Sequence, residues 1–84
     1  MGTKKRITPT YLAEKLKFIR EHLGLTTEEL IEKLDCPQVP LHRASITQYE
    51  KGRREPPLIL ILQYSRLIKL PVEYLIDDNL QIPK

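Results

Sequence analysis

The sequence predicts a small all-α domain built from five short helices. Apolar residues recur at helical spacing in several segments, and glycines, prolines and capping residues separate these segments where helices would begin and end. No strand pattern competes seriously with this interpretation. With 84 residues, the chain has room for one domain and one modest hydrophobic core.

The first helix is predicted to open at Thr8-Pro9 or at Thr10, because proline is tolerated in the first turn of a helix. Gly24 is a natural end, since glycine readily adopts the left-handed conformation that follows many helices. Between these points, apolar residues recur at helical spacing while charged residues take the outer face. The apolar positions are Leu12, Leu16, Ile19 and Leu23.

The second helix is marked by Thr26 as its N-cap and by Glu29 three residues later, which together form a capping-box signature. This helix is short and is predicted to end near Asp35. The segment Cys36–Pro40 that follows cannot be regular helix, because it contains two prolines close together. The apolar stripe of the second helix consists of Leu30, Ile31 and Leu34.

The third helix is predicted to run from about His42 or Arg43 to Lys51, and Gly52 ends it. A basic connector, Arg53-Arg54-Glu55, follows directly. The helix has only a narrow apolar face, which leaves most of its surface polar. Its inward positions are Ile46 and Tyr49.

The fourth helix is predicted to start after Pro56-Pro57 and to run from Leu58 to about Lys69. Pro71 lies at the start of a fifth, short helix. Seven prolines and only three glycines predict defined breaks between rigid elements and no flexible linkers. The apolar residues of the fifth helix are Val72, Leu75 and Ile76.

Charge is distributed unevenly along the chain. The net charge of +3 is compatible with a polyanionic partner but is weak evidence on its own. Basic residues crowd the N-terminus and the middle (Lys4, Lys5, Arg6, Arg43, Lys51, Arg53 and Arg54), and acidic residues lie near the C-terminus (Glu73, Asp77 and Asp78). The predicted regions are a flexible basic arm at 1–7, the helical domain at 8–78 and a tail at 79–84.

Several classes of protein are disfavoured by the composition. Cys36 is the only cysteine, so an internal disulfide or a multi-cysteine metal site is impossible. His22 and His42 have no nearby ligand cluster, and neither a metal nor another cofactor is expected. The longest apolar run, Leu58–Leu62, is too short to span a bilayer, and the basic N-terminus lacks the apolar region of a signal peptide. These features predict a cytoplasmic protein.

Two stretches, Leu25–Leu30 and Ser45–Pro56, resemble the Cro and phage-repressor-like helix-turn-helix family, also called the XRE family. In that family a capped second helix precedes a recognition helix that ends in an aromatic or aliphatic residue, Glu, a basic or polar residue and Gly. A basic connector with Glu-Pro follows. The resemblance runs from about Leu16 to Ile76 and is most specific at Tyr49–Pro56.

The resemblance implies a compact five-helix lambda-repressor-like DNA-binding domain, here with an elongated turn between the second and third helices. It implies a bacterial or phage transcription regulator that binds double-stranded DNA and is nucleoid-associated when bound. The family's base-reading positions fall on Arg43, Ala44 and Gln48, with Thr47 as a further candidate. Arg can bond guanine and Gln can bond adenine in bidentate fashion, whereas Ala44 and Thr47 can touch a thymine methyl. A solvated helix face remains the alternative for Arg43 and Gln48.

Phosphate contacts are expected at three places around the third helix. The family usually has Gln at the first position of the second helix, where this chain has Thr27, whose hydroxyl has a shorter reach. His42 can reach a phosphate at the start of the third helix. Beyond the end of the third helix lie three basic residues, for which ordinary surface charge is the alternative to phosphate binding. The basic candidates there are Lys51, Arg53 and Arg54.

The resemblance also implies one structural ion pair, between Arg20 of the first helix and Glu50, which stands two residues before the glycine. Three departures from the family affect the expected geometry. Asp35–Pro40 replaces what is commonly one glycine, so the turn is several residues longer than usual and affects the docking angle of the third helix. Ile31 stands where alanine is usual, which predicts a wider spacing of the second and third helices. The third departure is a pair of apolar residues at usually polar positions, Ile59 and Leu60.

The start of the fourth helix is predicted to have an apolar face left over after the core is filled, because Leu58–Leu62 is apolar on every side. Such an exposed apolar face is expected to pack against another surface. A homodimer is favoured, since a two-fold dimer presents two recognition helices ~34 Å apart to a palindromic site. Packing of the C-terminal tail against the fourth helix within one chain is nearly as plausible as a homodimer. The residues assigned to this surface are Ile59, Leu60, Leu80 and Ile82.

Two functions therefore compete at this point. The favoured one is a sequence-specific transcription regulator, in the simplest case a repressor that occupies a promoter. The other is a protein-interaction module on the same fold, such as the antitoxin of a toxin–antitoxin pair. An enzyme is not expected, because no catalytic constellation or glycine-rich phosphate loop can be identified. The operator, any effector, and whether the chain is a whole protein or an excised domain stay open.

Overall fold

Five helices form the domain in a computed structural model that describes residues 9–83. Within those residues there is no strand, and the all-α prediction is confirmed. The predicted arm at 1–7, with Lys4, Lys5 and Arg6, lies outside the described residues, as does Thr8. The helices are α1 (Leu12–His22), α2 (Thr27–Leu34), α3 (Arg43–Glu50), α4 (Leu58–Ile68) and α5 (Glu73–Ile76).

Helix α1 begins later than the sequence pattern predicts. Its N-cap is Tyr11, whose side chain makes no capping hydrogen bond. Instead, the Asp78 carboxylate accepts hydrogen bonds from the backbone amides of Thr10 and Tyr11, at 2.9 and 3.1 Å. The amides of Thr10 and Tyr11 precede the first helical residue and have no partner within the helix, so a carboxylate from elsewhere in the chain accepts their hydrogen bonds. The local start signal at Thr8–Thr10 was therefore misleading.

Helix α2 has the capping box that the sequence predicts. The Thr26 hydroxyl accepts a hydrogen bond from the Glu29 amide at 3.1 Å, and the Thr26 amide donates to Glu29 Oε1 at 2.8 Å. At the other end Asp35 adopts a left-handed conformation with φ of 46°. Gln63 of α4 donates from Nε2 to the carbonyl oxygens of Leu34 and Asp35, which stabilises this end of α2.

Helices α1 and α3 both end at a glycine in the left-handed region, as predicted. Gly24 has φ of 68° and Gly52 has φ of 70°. At the end of α3 the Gly52 amide donates to the Tyr49 carbonyl at 3.2 Å and the Arg53 amide donates to the Gln48 carbonyl at 2.9 Å. This pair of bonds is a Schellman motif, which ends α3 and turns the chain into the basic connector.

Helix α1 is the centre of the packing and contacts α3, α4 and α5, while α2 packs on α3 and α4. The long turn between α2 and α3 is attached to this core through Cys36, which is buried, and through Val39 and Leu41, which are partly buried. These apolar side chains hold the turn against the body of the domain, while its exposed prolines restrict the backbone. The apolar core residues from the helices are Leu12, Leu16, Ile19, Leu30, Leu34, Ile46, Tyr49, Leu60, Ile61, Tyr64 and Leu75.

The surface predicted for a dimer needs one correction, at Leu60. Leu60 is 0% exposed and belongs to the core, because its side of α4 faces the other helices. Leu80 and Ile82 line a groove together with α1 residues such as Phe18, which places this part of the tail beside α1. Of the residues assigned to this surface, Ile59 is the one that remains exposed on α4.

No helix between residues 9 and 83 combines the length and the apolar character that a membrane crossing requires. The longest helices, α1 and α4, have 11 residues each. A helix needs about 20 mostly apolar residues to cross the hydrocarbon core of a bilayer.

Candidate functional site

Helix α3 divides cleanly into a buried face and an exposed face. Ile46 and Tyr49 point into the core, and Ser45 beside them is also buried. The opposite side of the helix carries polar and small side chains that all lie in solvent. The structure thus brings four of the predicted site residues together on one surface. They are Arg43, Ala44, Thr47 and Gln48.

The structure contains the Arg20–Glu50 ion pair, which fixes the end of α3 against α1. Arg20 Nε donates to Glu50 Oε2 at 2.8 Å, and Nη2 donates to Oε1 at 3.0 Å. The Arg20 side chain is 22% exposed and that of Glu50 is 8% exposed. The hydrogen bond with Glu50 raises the pKa of Arg20, and desolvation acts in the opposite direction. Two parallel bonds set the distance and the rotation of α3 on α1.

A buried phenol lies close to this ion pair. Tyr64 of α4 is fully buried, and its hydroxyl is the one buried side-chain polar atom among the described residues without a hydrogen-bond partner. Burial raises the pKa of Tyr64, and the negative charge of Glu50 raises it further. Sequence reasoning did not identify this tyrosine, because helical spacing marks a residue as inward but does not show whether its hydroxyl finds a partner.

Arg43, the first residue of α3, is held by Glu28 from the first turn of α2. Arg43 Nε donates to Glu28 Oε2 at 2.8 Å, and Nη2 contacts the same oxygen. Both side chains are exposed, 73% for Arg43 and 58% for Glu28. The hydrogen bond from Arg43 lowers the pKa of Glu28. Sequence reasoning missed Glu28, because the irregular turn between the two helices hides their relative register.

Thr47 and Gln48 present different groups to solvent. The Thr47 hydroxyl donates to the Arg43 carbonyl at 3.1 Å, a bond within the helix. Its proton is therefore occupied, which leaves the methyl group and the hydroxyl lone pairs of Thr47 accessible from solvent. Gln48 is exposed near the end of the helix, and only its backbone carbonyl takes part in the turn at Gly52. Its amide can both donate and accept.

The N-terminus of α2 is a poorer anion site than the family pattern implies. The capping box uses the amides of Thr26 and Glu29, and the amide of Glu28 faces the carboxylate of its own side chain. The amide of Thr27 is what remains, and the Thr27 side chain is half-buried. Two carboxylates in this turn also repel a phosphate. The hydrogen bond from the Thr26 amide lowers the pKa of Glu29, which keeps that charge in place.

Basic residues flank the exposed face of α3 at both ends. His42 precedes the helix in an extended conformation, is exposed, and makes no side-chain capping bond. The predicted phosphate ligands beyond the other end are exposed, and two of them, Arg53 and Arg54, line a groove with Thr10 near the start of α1. Those ligands are Lys51, Arg53 and Arg54.

A second groove runs along the other side of α3, towards α4. It is lined by Val39 and Pro40 of the long turn and by Pro57 and Ile59. Ile59 is 39% exposed, and its neighbour Leu58 is 76% exposed. Across the described part of the chain, no three His, Cys, Asp or Glu side chains come close enough to hold a metal ion.

Comparison with known proteins gives one family. Residues 16–75, more than half of the chain, match the family model described as Helix-turn-helix. The matched range includes all of α2, α3 and α4 together with the Arg20–Glu50 pair. Among curated proteins, no significant match to the chain was found.

Proposed function

The chain belongs to the helix-turn-helix family, and from this premise we propose that it regulates transcription by binding a specific operator in duplex DNA. Membership of the family implies DNA binding, and the family is typically not catalytic. The observation that carries the proposal is the exposed face of α3, opposite the buried Ile46 and Tyr49. A helix held in this way can enter the major groove while its apolar side stays on the domain.

In this proposal, base reading is carried out by the residues on the exposed face of α3. Arg43 bonds the O6 and N7 atoms of a guanine, and Gln48 bonds an adenine. Thr47 and Ala44 contact thymine methyl groups, which suits Thr47 because its hydroxyl proton already bonds the Arg43 carbonyl. Support comes from the exposure of all four side chains and from the ion pair that fixes α3 on α1.

Phosphate binding in this proposal depends mainly on the connector after α3. Lys51, Arg53 and Arg54 contact the DNA backbone beyond the end of the helix, and His42 contacts it at the start. Thr27 contributes less, because the two carboxylates near it oppose a phosphate. Each phosphate that a cation neutralises adds about 0.9 to the steepness with which log K falls with log salt.

The proposal includes a homodimer that occupies a promoter and thereby represses transcription. The dimer surface consists of Ile59 and its exposed neighbour Leu58, beside the groove formed with the long turn. Since this surface lies next to α3, a second copy there would set two recognition helices side by side for a palindromic operator. A regulator of this kind acts inside the cell, because the promoter DNA that it binds is located there.

A salt titration tests DNA binding directly. The purified protein is titrated with random duplex DNA over a series of salt concentrations, alongside the variant Arg53→Ala. Wild-type affinity should fall steeply with salt, and the slope for Arg53→Ala should be smaller by about 0.9. Undetectable binding at low salt would reject the proposal.

A protein-interaction module is the second candidate, and the exposure of Leu58 and Ile59 favours it. Large apolar side chains at an exposed helix end are suited to a protein partner such as the toxin of a toxin–antitoxin pair. In that case the salt titration gives a flat response. The same exposed pair serves the dimer in the first proposal, so the titration separates the two candidates.

A further inference from the structure

The contact between Glu28 and Arg43 carries an inference that rests on the proposed function and deepens it. The two residues lie on different helices, α2 and α3, and they meet in solvent at the edge of the exposed face of α3. An exposed ion pair contributes little to folding stability, about 0–1 kcal/mol. We therefore look for the effect of this ion pair in the orientation of the Arg43 side chain.

The guanidinium group has two edges that each present two N–H groups to an acceptor. Glu28 Oε2 takes the edge formed by Nε and Nη2. The other edge, formed by Nη1 and the second N–H of Nη2, is left for a further acceptor. Guanine O6 and N7 match such an edge in bidentate fashion.

We propose that Glu28 is a positioning residue for base recognition, which holds the Nε side of Arg43 so that the Nη1–Nη2 edge reads a guanine. Glu28 itself does not touch the base. A long arginine side chain otherwise loses rotamer freedom when it binds, and a contact already made in the free protein reduces that loss. The pair therefore strengthens discrimination at the one base pair that Arg43 meets.

Glu28 has a second, opposite effect on binding to any DNA. Its carboxylate lies near the proposed DNA surface and repels phosphates whatever the sequence. Removing the charge should strengthen binding to random duplex while it weakens the choice of guanine. This combination distinguishes a positioning residue from one with a merely structural role, which would affect all sequences alike.

The experiment compares the full chain with Glu28→Gln, Arg43→Ala and Glu32→Gln. Glu32 is the matched control, since it lies one turn further along α2, is exposed, and is not paired with Arg43 in the described residues. Binding-site selection on the wild type first gives a site. Affinities are then measured for that site, for single-base variants and for random duplex, with thermal unfolding as the check that each variant is folded.

We expect Arg43→Ala to lose the guanine preference at one position, and Glu28→Gln to reduce the preference there about fivefold while binding random duplex more tightly. Glu32→Gln should keep the full preference. An unchanged guanine preference in Glu28→Gln would overturn the inference, and so would an equal loss at every position. If the wild type selects a site but Arg43→Ala changes nothing, the inference fails and the proposed function stands. If the wild type selects no site, the proposed function fails.

Discussion

Asp78, which is 68 positions from Thr10 in the sequence, caps the first helix, with its carboxylate 2.9 Å from the backbone nitrogen of Thr10. A second oxygen of the same carboxylate bonds the Tyr11 amide. This contact joins the segment after α5 to the start of α1. Since α1 carries the arginine that fixes α3, the cap supports the helix on which the proposed function depends.

The cap predicts a pH-dependent contribution of Asp78 to stability. Hydrogen bonds from the Thr10 and Tyr11 amides lower the pKa of Asp78 below its ordinary value of 3.8. Because the folded-state pKa is depressed, this stabilisation is complete above pH 3.8 and is lost as the pH falls through the folded pKa. Asp78→Asn should therefore unfold at a lower temperature than the wild type at pH 7, and this difference should shrink at pH values below the folded pKa.

Thermal unfolding followed by circular dichroism at several pH values checks this prediction. Glu32→Gln is the control, because it removes an exposed carboxylate of α2 without touching the cap. A difference for Asp78→Asn that stays constant across the pH range would show that the carboxylate charge does not matter.

The Arg20–Glu50 pair predicts a clear loss of stability when one partner is neutralised. Glu50→Gln leaves a partly buried arginine without its counter-charge, and the free energy of unfolding should fall by about 1–3 kcal/mol. Urea unfolding is measured for Glu50→Gln, for a variant with a neutral residue in place of Arg20, and for the double variant. Together with the wild type, these values give the coupling energy between the two side chains. A coupling energy near zero would mean that the two bonds do not hold α3 on α1.

Tyr64→Phe is predicted to stabilise the protein. The Tyr64 hydroxyl is buried without a partner, so its removal takes away a desolvation cost and leaves the ring in place. The free energy of unfolding should rise by about 1 kcal/mol. Tyr11→Phe is the control, because Tyr11 is 47% exposed and its hydroxyl should matter little. A less stable Tyr64→Phe variant would show that the hydroxyl has a partner in solution.

Neighbouring residues of α4 are predicted to behave in opposite ways. Leu60→Ala creates a cavity in the core and should cost about 2–5 kcal/mol of stability. Ile59→Ser should leave the fold nearly unchanged but weaken the proposed dimer, so that sedimentation shows a larger monomer fraction at a given concentration. If Ile59→Ser and the wild type have the same oligomeric state, the dimer does not use this surface.

The parts of the fold that sequence predicted well are those set by local chemistry. The Thr26–Glu29 capping box and the turns at Gly24 and Gly52 each depend on residues a few positions apart, which the sequence displays directly. The alternation of buried and exposed positions along α3 follows from helical periodicity alone. The Arg20–Glu50 pair spans a longer distance, and it was available only through resemblance to a known family.

The features that sequence reasoning missed depend on proximity in three dimensions. Nothing in the sequence connects Asp78 with Thr10 and Tyr11, because these residues lie 68 and 67 positions from it and meet it only in the folded chain. The Glu28–Arg43 pair depends on the path of the long turn, which no periodic pattern specifies. For the same reason Leu60 was assigned to the surface, since the run Leu58–Leu62 is apolar on every side and does not show which of its residues face the core.

Binding-site selection with purified wild type, Gln48→Ala and Arg53→Ala tests most directly whether α3 reads bases in the major groove. The wild type should select one sequence, and Gln48→Ala should lose preference at a single base position, at a cost of about 1–3 kcal/mol for that base. Arg53→Ala should select the same sequence with uniformly lower affinity. If Gln48→Ala and Arg53→Ala changed binding in the same way at all positions, the exposed face of α3 would not be the reading surface.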